Sequence, residues 1–115
     1  MRLPNAADAQ IDPRKLIYLH TSGKLKFFEM HGFDHSRPGE LMEALKAHPL
    51  RNPVERVIPM PPHGVKYTVR CSIPSPDGRN PCALTVWIID AGRDHPRFVS
   101  GYASPISAPE FPNLP

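Results

Sequence analysis

Basic, hydroxylic and aromatic side chains alternate along the second half of the chain in a pattern suited to work on phosphate esters. Val65, Tyr67, Val69, Cys71 and Ile73 alternate with Lys66, Thr68, Arg70 and Ser72, which is the period of a half-buried strand. Ser75-Pro76-Asp77-Gly78-Arg79-Asn80 is strong turn chemistry, so this strand should fold back as a hairpin onto Cys82–Asp90. Ala91-Gly92-Arg93-Asp94 should then turn the chain into a last strand, Arg97–Tyr102. With Asp77-Gly78 as the two central turn residues, Ile73 faces Cys82, Cys71 faces Leu84, Val69 faces Val86 and Tyr67 faces Ile88, an apolar set belonging under helices. The opposite face then gathers Lys66, Thr68, Arg70, Thr85, Trp87, Phe98, Ser100 and Tyr102. Cations hold phosphate, hydroxyls donate to its oxygens and aromatic rings stack on unpaired bases, so such a face suits binding or cleavage of RNA. The same mixture also suits any pleated, half-solvated strand surface. A one-residue bulge near Gly92 or Gly101 would put Arg97 on this face in place of Ser100 and Tyr102.

Ribonucleolysis without a metal needs a base near the ribose 2′-hydroxyl and an acid for the leaving oxygen. Of the six histidines, His31, His63 and His95 fall beside expected helix ends or sheet turns, from which the open face is within reach. Spacing singles out none of them, and a lone histidine is more often a solvated loop residue. Lys24 and Lys26 follow Gly23 at a helix start, where they present cations to a phosphate or stand as solvated helix lysines. There is no HExxH, no paired acids on one element, no GxxxxGK[ST], no GxGxxG after a strand and no GxSxG. Metallohydrolase, magnesium-nuclease, glycosidase, nucleotide-hydrolysing, dinucleotide-redox and serine-hydrolase chemistries are therefore disfavoured, and no cofactor or metal is expected. Cys71 and Cys82 lack any zinc-ligand spacing and read as core-filling thiols of a reducing compartment.

The elements that must position this face precede it. Asp12-Pro13 is a helix start with Asp as N-cap and Pro in the first turn, giving a short helix over Pro13–His20. After Gly23, Lys24–His31 forms a second segment with Leu25, Phe28 and Phe27 inward, closed by Gly32. Ser36 should cap a third helix whose Leu41, Ala44, Leu45 and His48 recur at helical spacing until Pro49 stops it. Three prolines crowd the end of Val54–Pro59, which marks an edge strand. The expected fold is α+β, with two or three short N-terminal helices on one face of a roughly four-stranded antiparallel sheet. A chain of 115 residues supports one core, so residues 1–103 form one domain and the proline-rich 104–115 a tail. A net charge of +3 leans mildly towards polyanions, with no block of like charge. Apolar runs are too short to span a bilayer and no secretory h-region opens the chain, so a cytoplasmic protein with no membrane partner is expected.

Leu3-Pro4-Asn5-Ala6, Ile11-Asp12-Pro13-Arg14-Lys15-Leu16, Gly23-Lys24-Leu25-Lys26-Phe27-Phe28, Gly32-Phe33, Ser75-Pro76-Asp77-Gly78-Arg79, Thr85-Val86-Trp87 and Pro96-Arg97-Phe98-Val99 together resemble a small bacterial domain-of-unknown-function family, 6883. Related domains occur at the C-termini of polymorphic toxins. The order of helices then four strands is also similar to the barnase, EndoU, colicin and RelE group of toxin ribonucleases. That resemblance implies polar active-site groups at Lys24, Lys26, Thr85, Arg97, Ser100 and Tyr102. The expectation is a toxin-like, metal-independent ribonuclease. Lys24, Arg70 and Arg97 would hold phosphate, Thr85, Ser100 and Tyr102 would donate hydrogen bonds, and His31 or His63 would move protons. Lys26, Lys66, Thr68, Trp87 and Phe98 would complete the substrate-binding surface. The alternatives are a non-catalytic module that binds a cognate antitoxin or another protein, and an RNA-binding module without catalysis.

Overall fold

The computed structural model describes residues 1–21 and 25–103, the side chains of Tyr18, His20, Thr21 and Leu25 excepted. Lys24 and the 104–115 tail therefore lie outside the described residues. A 3-10 turn at Ala6–Asp8 leads into three helices, α1 Pro13–Thr21, α2 Leu25–Glu29 and α3 Pro38–Arg51. Four strands follow, β1 Val54–Met60, β2 Gly64–Ser72, β3 Cys82–Asp90 and β4 Arg97–Ala103. They pair antiparallel in the order β1-β2-β3-β4, a meander in which each strand lies beside its neighbours in sequence.

The helices start where the local chemistry requires. An Asp12 carboxylate oxygen accepts from the Arg14 backbone N–H at 3.0 Å, satisfying one of the donors that the first turn of α1 leaves open. Gly32, at φ +98°, ends the α2 segment, and the Phe33 N–H returns to the Phe28 carbonyl at 3.2 Å. Two details of α3 differ from the sequence reading. Its N-cap is Arg37, without a side-chain cap, while Ser36 is engaged in a turn on Asp34 through a 2.9 Å bond. Pro49 lies inside the helix, which runs on to Arg51; it occupies the last turn, so little helix remains for its missing N–H and ring to disrupt.

All three helices cover one face of the sheet, α3 over β2 and β3, and α1 and α2 over β4. Leu16 and Leu19 of α1, Phe28 of α2, and Leu41, Ala44 and Leu45 of α3 meet Tyr67, Val69, Ile73, Ala83, Trp87 and Phe98 from the sheet. Trp87 and Phe98 pack edge to face, with ring centroids 5.3 Å apart.

The register differs from the expected one by a single residue. Tyr67 faces Trp87, Val69 faces Thr85, Cys71 faces Ala83 and Ser72 faces Cys82. The cause is the connection, which is a closed loop over residues 73–81 rather than a two-residue turn. The Ile73 N–H reaches the Pro81 carbonyl at 2.9 Å, Ser75 Oγ donates to Asp77 Oδ1 at 2.6 Å, and the Ser75 N–H donates to Asn80 Oδ1 at 3.0 Å. Because side chains alternate with a period of two, this one-residue change exchanges every side chain of β3 between the two faces.

Candidate functional site

On the face away from the helices, β2, β3 and β4 set three cross-strand rows. Ile88 lies between Lys66 and Arg97, Val86 between Thr68 and Ser100, and Leu84 between Arg70 and Tyr102. β1 adds Ile58 beside Lys66 and Arg56 beside Thr68. A bulge does occur in β4, at Val99 and not near Gly92 or Gly101, where the pairing shifts between Val86 and Trp87. It re-aims only the start of β4, so Arg97, Ser100 and Tyr102 share the open face while Phe98 enters the core. Lys66 and Arg97 stand two strand spacings apart, about 10 Å.

Two of the cations are held by carboxylates. The Arg70 guanidinium takes both oxygens of Glu55, with Nη2 at 3.2 Å from Oε1. The Arg97 guanidinium takes both oxygens of Asp90, at 2.7 and 3.1 Å. The hydrogen bonds from Arg97 hold the Asp90 carboxyl below its ordinary range, and each guanidinium is correspondingly raised. Such two-point pairs fix the planes of the arginines more than they contribute stability at this exposure. Between them, the Thr68 hydroxyl is buried with no hydrogen-bond partner among the described residues.

At one end of this face Gln10, Asp90, Arg93, His95 and Arg97 line a polar cleft of ≈ 300 Å³. Backbone pairing builds it. Gln10 runs parallel to the start of β4, its N–H on the Pro96 carbonyl and its carbonyl on the Phe98 N–H, both at 2.9 Å. The Asp90 carbonyl accepts from the Arg93 N–H at 2.9 Å, closing the turn that carries Arg93 and Asp94. Asn5 Nδ2 donates to the Asp94 carbonyl, and His95 Nδ1 lies 3.0 Å from Asp94 Oδ1. The β1–β2 turn adjoins, since the Ala91 N–H donates to the His63 carbonyl at 3.0 Å. Gly64 permits that approach: a Cβ there would stand 2.2 Å from the Ile89 carbonyl oxygen.

Of the residues expected on the open face, the structure gathers Lys66, Thr68, Arg70, Ser100, Tyr102 and Arg97, and removes Thr85, Trp87 and Phe98 to the core. Thr85 is part of a buried hydrogen-bond chain. Trp87 Nε1 donates to Thr85 Oγ1 at 2.9 Å, the Thr85 hydroxyl lies 2.9 Å from His48 Nδ1, and His48 Nε2 lies 2.7 Å from the Cys71 carbonyl. A carbonyl only accepts, so Nε2 carries the proton and Nδ1 accepts from threonine, which pairs every member with a neutral imidazole. Burial lowers the His48 pKa and keeps the ring in that state. His31 is also away from the face: it ends the α2 segment against the 73–81 loop, Nδ1 3.3 Å from Asp77 Oδ2, with Phe27 edge-on at 5.2 Å. Lys26 is exposed on α2, on the helical side. His63 is exposed at the β1–β2 turn. Sequence reasoning did not assemble Gln10, Asp90 and Arg93 with Arg97; the turn residues flanking Arg97 were the available signal, whereas nothing local marks Gln10.

Among the described residues no helix is long and apolar enough to cross a membrane, and no three His, Cys, Asp or Glu side chains are grouped to hold a metal ion. No curated protein and no solved structure is significantly similar to the chain. Residues 2–105 match the family described as Domain of unknown function (DUF6883), and the chain therefore belongs to that family.

Proposed function

We propose that this domain acts on RNA as a metal-independent ribonuclease of the toxin type, with its reaction centre in the cleft where β3 turns into β4. The observation that carries this reading is the convergence of Gln10, Arg93, His95 and Arg97 on one small polar cleft beside a cation-bearing sheet face. Arg97, oriented by Asp90, and Arg93 neutralise a phosphodiester and the charge that builds on its oxygens during attack. Lys66, two strands over on the same cross-strand row as Arg97, extends the track for the neighbouring phosphate, and Gln10 supplies an uncharged donor. His95 takes the proton of the 2′-hydroxyl as that oxygen attacks phosphorus, and His63, on the adjoining turn, supplies the proton that the departing 5′-oxygen needs. With Trp87 and Phe98 in the core, Tyr102 is the aromatic ring left on the open face, so recognition of backbone exceeds recognition of bases.

The test is purified protein incubated with total RNA and with tRNA in EDTA, beside His95→Ala and Arg97→Ala, with fragments resolved on a gel and folding checked by thermal melting. The expected result is discrete cleavage by the wild type that both variants lose while staying folded. Intact RNA from folded wild type, or undiminished cleavage by both variants, overturns the reading and moves the search to a protein partner.

A further inference from the structure

Cys71 holds an unusual backbone conformation for a strand residue. Its φ is +124°, at the next-to-last pair of the β2–β3 ladder, whereas the other described non-glycine residues with positive φ, Asn5 and Asn80, lie outside the strands and are of the type that tolerates it. On the helical side the buried His48 donates from Nε2 to the Cys71 carbonyl at 2.7 Å. Strict alternation would send the Cys71 side chain under the helices with Tyr67, Val69 and Ile73, yet it is half-buried and outside the core cluster. Cys82 is one step along the facing strand, paired with Ser72 while Cys71 pairs with Ala83, so the two cysteines are diagonal neighbours on adjacent strands. Both thiols are half-buried, and Arg70, paired with Glu55, precedes Cys71 in the chain. The core-filling role expected for both is thus replaced by a half-buried dithiol held by a strained residue, and strain of this kind collects at functional positions.

We propose that Cys71 and Cys82 form a reactive dithiol that a peroxide closes into an intramolecular disulfide between β2 and β3. Adjacent-strand positions lie within the Cα separation that a disulfide spans. The Cys71 sulfur attacks one peroxide oxygen and the O–O bond breaks; the other oxygen leaves as water with the thiol proton, and Cys71 becomes a sulfenic acid. The Cys82 sulfur then attacks the Cys71 sulfur, the S–O bond breaks, and the hydroxyl leaves as water with the Cys82 proton. Two thiols and one hydrogen peroxide become one disulfide and two waters.

The experiment treats the reduced, folded protein with one equivalent of hydrogen peroxide and measures free thiols, intact mass and a non-reducing peptide map. The expected result is loss of both thiols together, a mass lower by two hydrogens, a Cys71–Cys82 cross-linked peptide, and full reversal by a thiol reductant. Cys82→Ser should stop at a Cys71 sulfenic acid that dimedone traps. Survival of both thiols, a bridge only between molecules, or closure only in urea would overturn the proposal. None of these readouts depends on RNA.

Discussion

The two faces of the sheet use threonine in opposite ways. On the covered face Thr85 joins Trp87 to His48 in a chain whose donors and acceptors are all matched, and the whole of it is removed from water. On the open face Thr68 sits among ion-paired arginines with a buried hydroxyl that nothing among the described residues satisfies. A polar group fully paired in a dry interior fixes one packing arrangement, whereas a buried unpaired one costs stability where it stands. Residue type therefore says little about role here; the face on which a side chain stands says most of it.

Emptying the covered face should have the largest effect. Trp87→Ala removes the largest fully buried side chain and its edge contact with Phe98, and should cost ~3–5 kcal/mol in chemical denaturation. The sharper test exchanges hydroxyl for methyl on each face. Thr85→Val strands both His48 Nδ1 and Trp87 Nε1 and should cost roughly 2–4 kcal/mol, while Thr68→Val should stay within about 0.5 kcal/mol of wild type or exceed it. Equal costs would erase the distinction between the faces.

Acid should act on the covered face through His48. Its folded pKa lies below 6.5, so below pH 6.5 the unfolded chain binds the proton more readily than the folded one. Stability should fall as pH drops from 6.5 towards the depressed value, by at most about 1.4 kcal/mol per pH unit, and His48→Gln should flatten that slope in melts taken across the window. The ion pairs of the open face should also matter little: Arg70→Ala should cost no more than about 1 kcal/mol, and less in high salt. A loss several times larger would mean that the Arg70–Glu55 pair is structural after all.

Helix starts and strand extents were legible in the sequence because they rest on neighbours. Asp12-Pro13 opens α1, Leu41, Ala44, Leu45 and His48 turn inward on α3, and Cys82–Asp90 is a strand from end to end. The composition of the site was less legible. Cys82, Leu84, Val86 and Ile88 are apolar, and so are Ala83, Trp87 and Ile89, so the pattern of β3 permits either face inward. The choice lay with the 73–81 loop, whose Ser75, Asp77 and Asn80 side chains close it by accepting from the Asn80, Arg79 and Ser75 backbone N–H groups. Gln10 reached the cleft through a pairing with Arg97 that spans most of the chain.

By itself, the sequence determined that short helices precede a four-stranded antiparallel sheet, that β2 alternates between an apolar and a basic face, and that Arg97 begins the last strand. These follow from capping, turn and periodicity chemistry acting over a few residues. Only the tertiary structure decided that Thr85 and Trp87 are core, that Cys71 and Cys82 are half-buried diagonal neighbours, and that Gln10, Arg93, His95 and Arg97 share a cleft. The physical reason is that register is a long-range quantity: a loop one residue out of step reverses every side chain of a strand, and no local pattern on β3 resists the reversal.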